Sequence, residues 1–254
     1  MDLGLADRRF LVGGASRGLG AAIAHALLAD GARVAGASRQ PSAVPDAGLP
    51  EVVPIAVDLS SREGAATAVQ TSVAALGGLD GLVVNTGGPP SGSFAAIDEA
   101  AWERALDGTF HSAIRLIREA LPHLREGRDP AIVVVLSSSV REPIPGLITS
   151  NVLRPGLVGL IKSLVSEIAP IRINGVAPGR FDTERVRSLD ETRAAESGMS
   201  IAEVQAQTRA RIPLGRYGDP EELGRVVAFL LSPAASYLDG VVLPVDGGMI
   251  RSLP

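Results

Sequence analysis

Cysteine is absent from this chain of 254 residues, and lysine and aromatic residues are scarce. Without Cys, disulfides, zinc thiolates and a cysteine nucleophile are excluded, and we expect no metal site. Lys162 is the single lysine among 24 basic residues, and Phe, Trp and Tyr together make up 3% of the chain. With this bias, an Arg at a position that usually carries Lys is not by itself evidence of a changed function.

Charge and hydropathy exclude further classes of protein. The formal net charge is -4 and no cluster of basic residues occurs, so we expect no nucleic-acid partner and no anionic membrane surface. No apolar run approaches the roughly 18 residues of a membrane span, and residues 1–9 lack the basic-then-apolar order of a signal peptide. These absences predict a cytoplasmic protein. The hydrophobic fraction of 46% predicts one sizeable core.

Short apolar runs of strand length alternate with amphipathic segments along the chain. The runs are continuous in Val, Ile and Leu, as in parallel strands that helices cover on both faces. Strands are predicted at residues 9–13, 33–37, 52–57, 81–85, 131–136, 171–176 and 241–245. Helices are predicted at residues 19–30, 62–75, 98–124, 154–167 and 221–231. This order predicts an α/β fold, a single-domain Rossmann-like doubly wound, mostly parallel sheet with helices on both faces.

One polar interval departs from this pattern. Residues 182–211 are rich in Arg, Glu and Ala, and Ser200-Ile-Ala-Glu203 within them favours the start of a short helix. The chain has no internal repeat and no linker, so residues 1–254 are predicted to form one domain. We interpret residues 182–211 as a substrate lid on that domain.

A glycine-rich turn follows the first strand and opens the first helix. The segment Gly14-Ala-Ser16-Arg17-Gly18-Leu19-Gly20 places backbone N–H groups and the positive helix end at the carboxyl edge of the sheet. Gly14 permits the tight turn, Gly18 removes a Cβ where phosphates approach, and Gly20 lets the helix pack close to the strand. The segment predicts a pyrophosphate site; the alternative is a glycine-rich turn without a ligand.

The end of the second strand indicates which dinucleotide is bound. Where an Asp or Glu would hold the ribose hydroxyls of NAD, this chain has Ser38 and Arg39, and Arg17 lies in the glycine loop. Two cations favour a 2′-phosphate, hence NADP(H) over NAD(H), unless both are solvated loop residues. Asp58, next to Leu59 after the third strand, is a candidate acceptor for the adenine amino group or an N-cap of the next helix.

Taken together, these motifs resemble the short-chain dehydrogenase/reductase family along almost the whole chain. The resemblance rests on the glycine turn, Asp58, Asn85-Thr86-Gly87-Gly88, the segment ending in Pro178-Gly179, Arg211-Ile-Pro-Leu-Gly-Arg and Val245-Asp246-Gly247-Gly248. The chain is similar to the subgroup called 3-oxoacyl-[acyl-carrier-protein] reductase. The resemblance implies NAD(P)-dependent carbonyl reduction or alcohol oxidation on a small molecule, and a homo-oligomer, dimer or tetramer. It also implies that Leu59, Asn85, Thr86, Gly87, Pro178 and Gly179 line the cofactor site.

The catalytic positions depart from the family's pattern. Members typically carry Asn, Ser, Tyr and Lys, with Tyr and Lys four residues apart on the fifth helix. The resemblance puts Ser150 at the Tyr position, Arg154 at the Lys position and Thr109 at the Asn position. The family's serine falls on Ser138 by the end of the fifth strand, or on Ser137 by counting back from Ser150.

This departure matters for proton transfer. An aliphatic hydroxyl such as that of Ser150 donates a hydrogen bond to a developing oxyanion but is a poor proton reservoir. Arg154 keeps a positive charge and is expected to hold the nicotinamide ribose hydroxyls. Candidates for a substitute acid are Glu142, His25, His111, His123, Tyr217 and Tyr237. Glu142, in the loop after the serines, is the best placed of them.

Three functions remain open at this point. The first is an NADP(H)-dependent oxidoreductase in which water or an unidentified acid delivers the proton. The second is a catalytically decayed nucleotide-binding protein that acts as a sensor or scaffold. The third, a non-redox lyase or isomerase on the same fold, lacks a residue that the sequence nominates as its base.

Overall fold

A central sheet of seven strands organises the chain. The computed structural model describes residues 2–41 and 52–252. The strands are β1 (Arg9–Gly13), β2 (Arg33–Ser38), β3 (Val53–Ala56), β4 (Gly81–Val84), β5 (Ala131–Val135), β6 (Arg172–Pro178) and β7 (Val242–Val245). Their order in the sheet is β3-β2-β1-β4-β5-β6-β7, and each neighbouring pair is parallel. The predicted α/β doubly wound fold is confirmed, with strand ends within two residues of the predicted positions.

Helices cover both faces of this sheet. They are α1 (Gly18–Ala29), α2 (Arg62–Leu76), α3 (Glu99–Ala105), α4 (Ser112–Leu124), α5 (Ile148–Glu167), α6 (Glu184–Ser197), α7 (Ile201–Ala210) and α8 (Pro220–Leu231). Successive side chains of a strand point to opposite faces, so Leu11 of β1 joins one apolar cluster while Phe10 and Val12 join the other. The first cluster lies under α2, α4 and α5, and the second under α1 and α8.

The helix predicted over residues 98–124 is present from residue 99 to 124, but it contains a π-helical turn that was not predicted. The structure has α3, then a π-helical segment at Leu106–His111, and then α4. A π segment carries an extra residue in its turn, which a pattern with a period of 3.6 residues does not reveal. The Ser112 hydroxyl donates to the carbonyl of Gly108 at 3.0 Å inside this wider turn. The wider turn carries Thr109, one of the predicted site residues.

The fifth helix begins six residues earlier than predicted. The amphipathic pattern predicted a helix start at residue 154. In the structure, α5 begins at Ile148 and contains Pro155. The extra turn is held by side chains: the Thr149 hydroxyl donates to the carbonyl of Pro90 at 2.7 Å, and the Asn151 amide exchanges two hydrogen bonds with the backbone of Ile144.

Residues 182–211 are helical over most of their length. Thr183 caps α6. Ser200 and Glu203 form a capping box at the start of α7, where the sequence pattern predicted a helix start. In the parts of the chain that the structure describes, no helix is long and apolar enough to cross a membrane. Over the same residues, no group of three His, Asp or Glu side chains is arranged to hold a metal ion.

Candidate active site

A cleft of ≈ 1760 Å³ runs along the carboxyl ends of the strands. In a doubly wound sheet, ligands bind at this edge, next to the point where the strand order changes direction. Here that point lies between β1 and β4. The cleft is larger than a typical pocket for one small ligand, which leaves room for a dinucleotide and a second molecule. Every predicted cofactor and catalytic residue lies along it: Gly14, Ser16, Arg17, Gly18, Leu19, Gly20, Arg39, Asp58, Leu59, Asn85, Thr86, Gly87, Thr109, Ser137, Ser138, Ser150, Arg154, Pro178 and Gly179.

The glycine turn has the backbone that the sequence predicted. Gly14 and Gly18 have φ angles of 62° and 56°, in the left-handed region that favours glycine. A Cβ at Gly20 would collide with the carbonyl oxygen of Gly14, so α1 approaches the turn closely. The Asn85 amide donates to the carbonyl of Gly13 at 3.0 Å and fills the space beside Gly14 and Gly20. Asn85 therefore fixes the end of β4 against the turn.

The adenosine end of the cleft carries a cation and an unpaired hydroxyl. Arg39 is exposed beside the cleft. Ser38 is 8% exposed, and its hydroxyl has no hydrogen-bond partner among the described residues. A buried hydroxyl without a partner costs free energy unless a ligand satisfies it. This arrangement fits a polar group of a bound nucleotide.

Asp58 accepts hydrogen bonds from its own loop. The backbone N–H and the hydroxyl of Ser60 donate to its carboxylate at 3.0 and 2.8 Å. These bonds hold the pKa of Asp58 below its usual range. The alternative role of Asp58 as a helix N-cap is wrong, because the Ser61 side chain caps α2. Asp58 stays exposed along the cleft, with its carboxylate ionised.

Arg17 has a partner that the sequence did not suggest. Its guanidinium forms an ion pair of 2.6 Å with Glu184, the first residue of α6. Beside this pair, the Thr183 side chain lies 3.6 Å from the position of a Cβ at Gly18. The N-terminus of α6 therefore lies over the glycine turn. Thr183 and Glu184 were not among the predicted site residues; a Thr directly before a Glu-led helix is the N-cap signal that could have identified them.

The serines after β5 have separate partners. Ser137 accepts a hydrogen bond from the backbone N–H of Ser139 at 3.1 Å, so it caps the short turn. Ser138 is 3% exposed, lies along the cleft, and has no side-chain hydrogen bond within residues 2–41 and 52–252. The Ser139 and Ser150 hydroxyls are 3.0 Å apart and both residues are buried. Ser139 was missed as a site residue, because spacing along the chain does not show which serine of the run faces α5.

Arg154 is fixed by the backbone of β5 and the residue after it. One guanidinium nitrogen, Nη1, donates to the carbonyls of Val135 and Leu136 at 2.7 and 2.8 Å. Burial, and to a smaller extent the charge of Arg185 on α6, lower the pKa of Arg154 to about 10. The guanidinium is still protonated at neutral pH. Arg154 and Ser150 are four residues apart on α5, so both face the cleft from one side of the helix.

Thr109 brings a second unpaired hydroxyl to the cleft. The residue is 1% exposed, and its hydroxyl has no partner in the described chain. The π-helical turn at Leu106–His111 brings it to the cleft wall. This polar atom is available to a bound molecule or to water.

The substitute acids are mostly directed elsewhere. Tyr217 is buried, and its hydroxyl donates to Asp190 at 2.8 Å. Burial and this hydrogen bond raise the pKa of Tyr217, so it keeps its proton. Tyr237 is fully exposed away from the cleft, and His123 lies near the end of α4, also away from the cleft. Glu142 alone among the six candidates lies along the cleft; the others are His25, His111, His123, Tyr217 and Tyr237.

Comparison with known proteins gives matches over nearly the full chain. A family model described as Enoyl-(Acyl carrier protein) reductase matches residues 14–250. A 3-oxoacyl-[acyl-carrier-protein] reductase of Vibrio cholerae is 32% identical over 249 residues, which are 94% of this chain and 96% of the relative.

Two solved structures are also similar. An L-sorbose reductase of Gluconobacter frateurii, complexed with NADPH and L-sorbose, has a TM-score of 0.90 and 26% identity over 100% of both chains. A short-chain oxidoreductase of Pseudomonas aeruginosa PAO1, described as containing an atypical catalytic center, has a TM-score of 0.83 and 30% identity, covering 98% of this chain and 99% of that one. The sheet order, the glycine turn and these full-length matches agree: the chain belongs to the short-chain dehydrogenase/reductase family of oxidoreductases.

Proposed function

We propose that this protein is an NADP(H)-dependent oxidoreductase that reduces a carbonyl or oxidises an alcohol of a small molecule. The preference for NADP(H) rests on the residues at the end of β2. Arg39 lies along the cleft there, no carboxylate occupies the position that selects NAD, and the Ser38 hydroxyl is buried without a partner. A 2′-phosphate would satisfy both groups. The Gluconobacter reductase, solved with NADPH, supports this choice.

Arg17 has a different role in this proposal. Its ion pair with Glu184 ties the glycine turn to α6 rather than directing the guanidinium to the 2′-phosphate. We therefore assign phosphate recognition at the ribose to Arg39 and Ser38, and closure over the pyrophosphate to Arg17, Thr183 and Glu184. The proposal keeps residues 182–211 as the lid, because their first helix begins directly above the glycine turn.

The chemistry follows from the hydroxyls along the cleft. When bound, the nicotinamide supplies or accepts the hydride. Ser138 and Ser150 donate hydrogen bonds to the substrate oxygen as negative charge develops on it. Ser139, 3.0 Å from Ser150, keeps the Ser150 hydroxyl in place. Arg154 contributes a fixed positive charge near the nicotinamide ribose, and Thr109 holds a water molecule at the cleft wall.

The proton requires a source other than a tyrosine. Neither Tyr217 nor Tyr237 lies along the cleft, and a serine hydroxyl is a weak acid. Water, or Glu142 as the remaining carboxyl candidate, supplies the proton in this proposal. The similar Pseudomonas oxidoreductase is likewise described as containing an atypical catalytic center, which supports an enzymatic role for this chain.

We also propose that the protein is cytoplasmic and forms a homo-oligomer. The cytoplasm fits a chain without cysteine, and a dimer or tetramer fits the family resemblance. Val152, 53% exposed on α5, leaves apolar surface available to a second copy.

A decayed nucleotide-binding protein is the second candidate. The observation that favours it is the pair of substitutions at the Tyr and Lys positions, Ser150 and Arg154. Incubation with NADPH and a panel of ketones and aldehydes separates the two. Reproducible oxidation of NADPH that depends on the carbonyl compound would exclude decay, and cofactor binding without any turnover would support it.

Fluorescence titration with NADPH and with NADH tests the cofactor assignment. We expect NADPH to bind more tightly, and Arg39→Ala to weaken NADPH binding roughly 10-fold or more, the effect of losing a charge-assisted hydrogen bond. The affinity for NADH should not change, because NADH lacks the 2′-phosphate that Arg39 is proposed to bind. Arg62→Ala, which removes an exposed arginine at the start of α2, is the matched control. Equal affinities for the two cofactors would refute the assignment.

A further inference from the structure

Arg185 extends from the second position of α6 to the loop after β4. Its Nη2 donates to the carbonyl of Pro89 at 2.9 Å. Its guanidinium packs against Gly88, where any Cβ would collide with it. The absence of a side chain at Gly88 therefore provides the space that Arg185 occupies. Arg185 also lies along the cleft.

The loop that Arg185 contacts belongs to the substrate end of the cleft. The carbonyl of Pro90 accepts a hydrogen bond from Thr149, the neighbour of Ser150, at 2.7 Å. The N–H of Gly92 donates to the carbonyl of Gly146 at 2.6 Å and joins the same two segments. Arg185 is thus on the wall shared with the serine pair. The adenosine end, with Ser38 and Arg39, is on the other side of the glycine turn.

This wall carries positive charge without a counter-ion. Neither Arg185 nor Arg154 forms an ion pair with a carboxylate in the part of the chain that the structure describes. Glu184, next to Arg185, is already paired with Arg17. Glu142 lies along the cleft but pairs with neither arginine. The two positive charges repel each other, and a bound anion relieves that repulsion.

We infer that the substrate carries a carboxylate and that Arg185 binds it, so that the protein acts on oxo acids or hydroxy acids. This inference rests on the proposed function. Arg185 donates one hydrogen bond to the carbonyl of Pro89. Its other guanidinium N–H groups can form a bidentate pair with a carboxylate. The Nη1 of Arg154 already donates to two backbone carbonyls. Arg154 therefore contributes positive charge to the site but no second bidentate contact with the carboxylate.

Unreactive carboxylates test the site without turnover. Butyrate, valerate and hexanoate, each with its primary amide, are titrated into the protein saturated with NADP⁺ and followed by saturation-transfer NMR. We expect at least one carboxylate to bind and its amide not to bind. Arg185→Ala should weaken carboxylate binding about 10-fold or more. Arg187→Ala is the matched control, because Arg187 is an exposed arginine of the same helix that lies off the cleft and is paired with Asp182.

The same variants then test turnover. With NADPH, levulinate is compared with methyl levulinate; Arg185→Ala should raise KM for the acid and leave KM for the ester unchanged. Carboxylates that bind no better than their amides, or that bind Arg185→Ala unchanged, would overturn the inference. So would an equal loss of NADPH affinity in Arg185→Ala, since Arg185 would then belong to the cofactor site. If carboxylates bind through Arg185 but no carbonyl compound oxidises NADPH, the anion site stands and the proposed oxidoreductase activity fails.

Discussion

At the scale of single residues, the hydroxyl of Ser150 is the group on which the proposed chemistry most depends. It is buried, lies along the cleft, and is oriented by Ser139 at 3.0 Å. A hydroxyl held in this way can donate to an oxyanion without reorganising, which is the condition for electrostatic stabilisation of a transition state. It does not replace the acidity of a phenol.

We expect Ser150→Ala to lower kcat by roughly 10²-fold, the usual effect of removing one preorganised donor to an oxyanion. Affinity for NADPH should stay unchanged, because the change removes no predicted cofactor contact. Stopped-flow measurement of NADPH oxidation with a saturating carbonyl substrate gives kcat, and fluorescence titration gives the affinity. Ser163→Ala is the control, since Ser163 is exposed on the same helix and bonds only to the carbonyl of Gly159. A variant with unchanged kcat would remove Ser150 from the mechanism.

At the scale of secondary-structure elements, the 182–211 segment is held by a buried polar contact. Tyr217, in the loop before α8, donates to Asp190 on α6 at 2.8 Å, and Arg180 lies 3.5 Å from the same carboxylate. Asp190 is 1% exposed. The contact therefore ties α6 to the chain on both sides of the segment.

Tyr217→Phe should loosen this segment while leaving the sheet intact. The lost hydrogen bond to a buried carboxylate is worth about 1.5–3 kcal/mol, so amide hydrogen exchange in α6 and α7 should accelerate roughly 10-fold or more. Exchange in β1, β4 and β5 should not change. Tyr237→Phe serves as the control because Tyr237 is fully exposed. Equal protection of α6 in both variants would show that Tyr217 does not hold the segment.

At the scale of the whole molecule, Asp80 links the three central strands at the edge opposite the cleft. Its side chain is fully buried and accepts hydrogen bonds from the guanidinium and the backbone N–H of Arg9, and from the N–H of Arg128. Burial by itself raises the pKa of Asp80, but these hydrogen bonds together outweigh it and hold the pKa at about 2. The folded state therefore binds the proton less readily than the unfolded chain does.

The depressed pKa predicts a pH-dependent contribution to stability. The ordinary pKa is 3.8, so the contribution of about 2 kcal/mol is complete above pH 4 and is lost as the pH falls towards 2. Asp80→Asn should therefore lower the free energy of unfolding by about 2–3 kcal/mol at pH 7, and by much less near pH 2.5. Urea unfolding across this range measures the difference. Asp182→Asn, in an exposed pair with Arg187, should cost under about 1 kcal/mol. If Asp80→Asn lowers the free energy of unfolding by the same amount at every pH, the lowered pKa of Asp80 is not the source of its contribution to stability.

Local patterns predicted the elements of this protein well. Continuous apolar runs identified the seven strands because a strand buried on both faces needs apolar side chains at successive positions. The pattern did not reveal the π-helical turn at residues 106–111, because a single wider turn is too short to show its own period. It also missed the helix start at residue 148, where the Thr149 hydroxyl bonds to the distant loop at Pro90.

The sequence by itself determined the fold and the glycine turn, because both depend on properties of neighbouring residues: side-chain periodicity and the left-handed φ angles of Gly14 and Gly18. The tertiary structure alone decided the partners of the polar groups. Ser150 with Ser139, Arg17 with Glu184 and Arg185 with Pro89 each join segments far apart in the chain or across a turn. Hydrogen bonds require distances of about 3 Å, and only the packing of helices on the sheet fixes such distances between separate segments.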